Sequence, residues 1–154
     1  MSYYSLAQIS ATWNDWENAL YEVDKSLMRN WCNLRGRHLK TIVLRHLGET
    51  DKALTLIEES LSYDHFNFGC SFEKYLITRN EEDLHLLMTQ MRRESHNYEE
   101  LALDYASCGC WEEALEVVNA AMSFSISQPT LLYYYKAWFL LRLGETGAAT
   151  VVEK

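Results

Sequence analysis

Residues 95–121 read SHNYEELALDYASCGCWEEALEVVNAA. Gly109 stands five residues before Ala114, between two stretches whose apolar residues recur at helical spacing. Tyr98, Leu101, Ala102 and Tyr105 form one apolar stripe, and Ala114, Val118 and Ala121 form another. Asn97, with Glu100 three positions later, reads as a capping box that opens the first helix. Gly109 closes that helix, because glycine takes the left-handed conformation at no steric cost. The segment is therefore a helical hairpin.

The layout recurs along the chain. LGETDKAL (47–54) places Gly48 five residues before Ala53, and LGETGAAT (143–150) places Gly144 five before Ala149. NDWENALYEV (14–23) keeps the alanine, Ala19, without the glycine. Ala19, Ala53, Ala114 and Ala149 are thus 34, 61 and 35 positions apart, and Leu84 in RNEEDLHLLMTQM splits the long gap into 31 and 30. In LGET, leucine closes the first helix, glycine turns the chain and threonine is placed to cap the second. A lone hairpin cannot bury its apolar stripe. Small residues at fixed positions let paired helices approach, and large ones beside them fill the gap to the next pair.

A period near 34 with two amphipathic helices per unit resembles the tetratricopeptide repeat. The first unit matches it with Tyr3, Leu6, Ala7, Ala19, Val23 and Ser26, and the second with Thr41, Leu44, Gly48, Ala53, Ile57 and Ser60. The second departs at Arg37 and Lys40, where bulky apolar residues are usual. The last offers Tyr133, Ala137, Leu140, Gly144 and Ala149, with Pro129 suited to a helix start. The resemblance implies an all-α fold: one domain over 1–154, built as an α-solenoid of about five antiparallel hairpins. Their bounds are about 1–33, 34–64, 65–94, 95–128 and 129–154, the third degenerate and the last truncated within GAATVVEK (147–154).

A narrower resemblance joins WENALYEVDKSL, NLRGRHLKTIVLRHLG, DHFNFG and EELALDYASCGCWEEAL. Together they are similar to the C-terminal helical-repeat region of large bacterial proteins whose N-terminal domain is β-rich and mutarotase-like. That resemblance implies that the chain is a portion of something longer.

Composition sets outer bounds. With 48% hydrophobic and 23% charged residues, the chain has the balance of a soluble globular protein, and a single proline argues against long linkers. A formal charge of −8 repels nucleic-acid backbones and anionic membranes. The start, MSYYSLAQIS, has neither the basic nor the apolar block of a secretory signal, so the expected location is cytoplasmic. Cys32, Cys70, Cys108 and Cys110 are then expected as thiols.

Chemistry is harder to find. The chain has no Gly-rich phosphate loop, nucleophile elbow or paired-histidine metalloprotease motif. No catalytic residue and no cofactor is expected. Cys108 and Cys110 are separated by one residue, where structural zinc sites use two to four, and they straddle the turn glycine; no metal is expected even with His96 nearby. Glu81 and His85, four apart, read as a solvated helical pair.

Binding remains. The repeat resemblance implies groove-facing positions on each first helix, which in the second unit are Arg35, His38, Ile42, Arg45 and His46. This basic cluster suits a carboxylate, from a peptide C-terminus or an acidic side chain. The competing reading is a solvated charged face, or pairing with acids of a neighbouring hairpin. The fourth unit supplies His96, Glu99, Leu103, Ala106 and Ser107, which carry no clear message. In the last unit Leu131, Tyr134, Trp138, Leu141 and Arg142 hold these positions, with Tyr134 and Trp138 on one helical face. That apolar face suits a ligand or partner, or a cover from the rest of the parent protein. Trp16 and Trp111, each three residues before an anchor alanine, read as packing between repeats. The reading is a non-catalytic protein-interaction scaffold that binds a protein or peptide. The alternatives are an accessory module of a larger carbohydrate-related bacterial protein, packed on its β-rich domain, and a self-association module forming a homodimer.

Overall fold

The computed structural model describes residues 1–124, 126 and 129–144. These residues contain nine α-helices and no strand: α1 Tyr3–Thr12, α2 Trp16–Arg29, α3 Leu34–His46, α4 Thr50–Tyr63, α5 Phe68–Thr78, α6 Glu81–Met91, α7 Ser95–Ala106, α8 Trp111–Ser123 and α9 Thr130–Arg142. The expected last helix, with Ala149, lies outside the described residues.

The turn that follows each first helix has one backbone signature. Asn14 (φ 58°), Gly48 (79°), Arg79 (54°), Gly109 (73°) and Gly144 (75°) are all left-handed. Asn14, Gly48, Arg79 and Gly109 stand five residues before Ala19, Ala53, Leu84 and Ala114. The register of the repeat therefore holds even where its glycine is missing. Asparagine tolerates the left-handed region, whereas arginine pays about 1 kcal/mol or more for its Cβ.

Side-chain caps begin five helices, one of them α6, where Asn80 accepts the Glu82 N–H at 2.9 Å. Ser2, Asp15, Asn33 and Asn67 each accept the backbone N–H of the residue three positions on. Two expected caps are corrected. Thr50 is the first residue of α4, and Glu49 precedes it at the cap without a side-chain bond. Helix α7 starts at Ser95, before Asn97, and the Asn97 amide instead donates to the Met91 carbonyl at 2.9 Å.

The chain divides after Gln90 into two compact units. In the first, α1 packs on α2, α2 on α3, and α3 on α4, while α5 packs on both α3 and α4. The first helices α1 and α3 also touch. Ala7, Ala19, Val23, Val43, Ala53 and Ile57 are completely buried at these crossings. The alanines matter here because helix axes can approach only where side chains are small. Helix α6 is tied to α5 by the Thr78 hydroxyl and the Lys74 ammonium, both on the Asp83 carboxylate. In the second unit, α7 packs on α8, and α9 packs on both. Tyr105, Ala102, Ala114, Val118, Leu132 and Phe139 are buried there without exposure.

Candidate functional site

The positions expected to face a groove in the first unit all lie on α3, and they divide into two sets. Arg35 and His46 are exposed and Arg45 is half-buried, whereas His38 and Ile42 are buried at 4% and 1% exposure. The His38 ring lies so close to α5 that a Cβ at Gly69 would overlap it. Burial lowers the His38 pKa to about 3, with the neighbouring Arg45 and Arg35 charges adding to the effect. His38 is therefore neutral near pH 7, and the cluster carries two permanent cations.

Both cations reach across to adjacent first helices. The Arg45 guanidinium donates from Nε and Nη2 to the two oxygens of Glu73 on α5, at 2.9 and 3.2 Å. Glu73 is completely buried. A bidentate fork is the geometry that best offsets the cost of burying a carboxylate. Arg35 sits 5.7 Å above the Tyr4 ring of α1. His46, at the end of α3, stacks on Trp16 at 4.0 Å between centroids and 9° between planes. Trp16 thus joins the first hairpin to the second.

The second unit repeats that corner. Trp111 meets Trp138 and Phe139 at 5.5 and 6.0 Å, and the Arg142 guanidinium lies 4.9 Å over its ring. His46 and Arg142 each stand seven residues before the next anchor position. Tyr134 and Trp138, 56% and 40% exposed, lie on the outer face of α9 with Leu131 and Leu141. Glu99 of α7 and burial together raise the Tyr135 pKa, burial contributing more.

One feature lay beyond sequence reasoning. Arg37, which departs from the repeat pattern, is buried at 5% exposure. Its Nε–H donates to the Trp31 carbonyl at 2.6 Å, Nη1 to the Ser60 hydroxyl at 3.1 Å, and Nη2 to Glu59 at 3.2 Å. The Tyr63 and Trp31 rings flank the guanidinium at 5.1 and 5.7 Å. The only advance signal was a cation at an apolar position. Cys70 borders the same interior. Burial pushes its thiol up to about 12, with Glu73 adding to the rise and the Ser60 hydrogen bond and Arg37 opposing it. Neither a protonated thiol nor an imidazole held neutral by burial is poised for nucleophilic or acid–base work near pH 7. Cys108 and Cys110 are buried beside their turn, and the exposed His96 pairs with Glu100 at 3.1 Å. Among the described residues, no helix is long and apolar enough to cross a membrane.

Paired helices with a left-handed turn, small residues five positions on, and first helices packed side by side define a tetratricopeptide-like helical fold. The solved structure of the "MamA RS-1 ArsTM double mutant", a tetratricopeptide-like protein, is similar to this chain with a TM-score of 0.53 and 17% identity. The match covers 98% of this chain and 90% of that one. At such identity the likeness speaks for the fold alone. No protein-family model matches the chain, and no curated protein matches it.

Proposed function

We propose that the chain is a non-catalytic scaffold for a protein partner, its hairpins stacked within each unit as turns of a solenoid. The observation that carries this reading is the packing of α1 on α3 and of α3 on α5. It lays consecutive first helices side by side as one surface, which is how helical repeats present a partner-binding face. In the first unit Arg35, Arg45 and His46 reach that surface, and Arg35 is the most open of its permanent cations. The partner that suits them is an acidic side chain or a peptide carboxylate. An array of acidic and C-terminal peptides, probed with wild type and Arg35→Ala, tests the reading. Weaker binding by the variant is expected, and equal binding by both proteins, or by neither, rejects it.

A second reading rests on α9. Leu131, Tyr134, Trp138 and Leu141 are 43%, 56%, 40% and 68% exposed, and their spacing of three, four and three is that of a coiled-coil seam. Such a stripe serves self-association, or contact with a β-rich parent domain. Solution mass at two protein concentrations, for wild type and Tyr134→Ser, separates a dimer from a monomer.

A further inference from the structure

The first unit holds a cleft of 520 Å³ on the side of its second helices, between α2, α3 and α4. That volume is in the range of small-ligand and peptide side-chain sites, which runs from about 300 to 1,000 Å³. Its floor is apolar, formed by Leu20, Leu44 and Leu56. Leu20 and Leu56 keep partial exposure, so the floor offers area to an apolar group.

The rim is charged and unbalanced. Four carboxylates (Asp24, Glu49, Asp51 and Glu59) face two ammonium groups (Lys40 and Lys52), for a formal −2, or −1 with the Arg37 guanidinium on Glu59 counted. Lys40 is held by Asp24 at 2.8 Å, and Lys52 by Glu49 at 2.5 Å. Glu59 meets Arg37 through one oxygen only, and its side chain is 49% exposed. Asp51 is exposed at the start of α4. The two carboxylates with an oxygen open to a ligand are therefore Asp51 and Glu59, the second through the oxygen that does not meet Arg37. With Thr55 they occupy positions i, i+4 and i+8 of α4, one stripe of one helix face. Eight residues at about 1.5 Å each separate the two acids by about 12 Å.

An extended peptide rises about 3.3 Å per residue, so positions i and i+4 lie about 13 Å apart. Positions i, i+2 and i+4 also point to the same side. We infer that this cleft binds an extended segment of a partner protein carrying basic, any, apolar, any, basic residues. The two basic side chains meet Asp51 and Glu59, and the apolar one rests on Leu20, Leu44 and Leu56. The site is separate from the first-helix surface proposed above and of opposite charge preference, so either can fail alone.

The test is fluorescence anisotropy at low salt with a labelled Arg-Ser-Leu-Ser-Arg peptide, against Glu-Ser-Leu-Ser-Glu and Arg-Ser-Ser-Ser-Arg. Wild type is expected to bind the first at least tenfold more tightly than either control. D51N/E59Q should lose at least tenfold. Because Glu59 touches buried Arg37, Asp51→Asn alone is the second variant, and a loss of at least threefold is expected. Arg35→Ala should bind this peptide like wild type. The inference is overturned if wild type does not prefer the basic peptide, if Asp51→Asn binds unchanged, or if spermidine binds the cleft while the peptide does not.

Discussion

Arg37 and Tyr98 hold the same place in two hairpins, each sixteen residues before an anchor alanine. Both are buried, and both donate to the carbonyl six residues earlier: Arg37 to Trp31 at 2.6 Å, Tyr98 to Arg92 at 3.3 Å. In these two hairpins a long side chain fills the gap and reaches back to a loop carbonyl, and two unlike residues do so. Tyrosine does so with one hydroxyl. Arginine brings a charge and needs more: two aromatic rings, the Glu59 carboxylate and the Ser60 hydroxyl. Ser60 and its counterpart Ala121, each seven residues past its anchor, differ to match. A buried ring wants a methyl beside it; a buried guanidinium wants an acceptor.

The largest effect that could break this comparison is at Arg37. Arg37→Leu should cost about 3 kcal/mol, since it strands the Trp31 carbonyl and the Ser60 hydroxyl in a low-dielectric site. Arg37→Tyr should lose less, and adding Ser60→Ala should recover part of that loss by importing the arrangement of the second unit. Urea unfolding followed by far-UV signal measures all three. A cost below about 0.5 kcal/mol for Arg37→Leu would mean that the guanidinium is no more than tolerated.

An intermediate effect separates α3, which buries a histidine, from its counterpart α7, whose buried residues carry no charge-bearing side chain near pH 7. His38 is depressed to about 3 in the folded protein and titrates near 6.5 when unfolded. Its contribution is complete above pH 6.5, and below that the unfolded chain gains a proton that the native one refuses. Stability of the first unit should fall by roughly 1 kcal/mol for each pH unit between 6.5 and about 3. Hydrogen exchange at pH 7.5 and 5.5 should show α3 losing more protection than α7, and His38→Asn should flatten the difference. Equal losses in the two helices would refute it.

The smallest effect is Tyr98→Phe, which removes one hydroxyl donor to the Arg92 carbonyl. About 1 kcal/mol is expected in the same urea measurement, less than a third of which would show the bond to be replaceable by water.

These contrasts explain what was legible beforehand. Anchor alanines and turn glycines announce themselves because they answer to local geometry: a Cβ either fits a left-handed turn or a helix crossing, or it does not. The surroundings of Arg37 join residues 31, 37, 59, 60 and 63, and no spacing rule predicts that a misplaced cation will find an aromatic cage. Positions inherited from the repeat pattern located α3 correctly yet could not tell exposed Arg35 from buried His38. That difference is made by Gly69, a residue from another hairpin. The cleft was equally hidden, because three helices each contribute a part of it.

Arg79 occupies the left-handed turn that three glycines and an asparagine fill elsewhere. Its side chain makes that bend costlier than the glycine turns, and Arg92, left-handed at 59° between α6 and α7, bears the same cost. The two loops that flank α6 are accordingly expected to open first under heat, so early protease nicks should gather there while the two preceding hairpins stay intact.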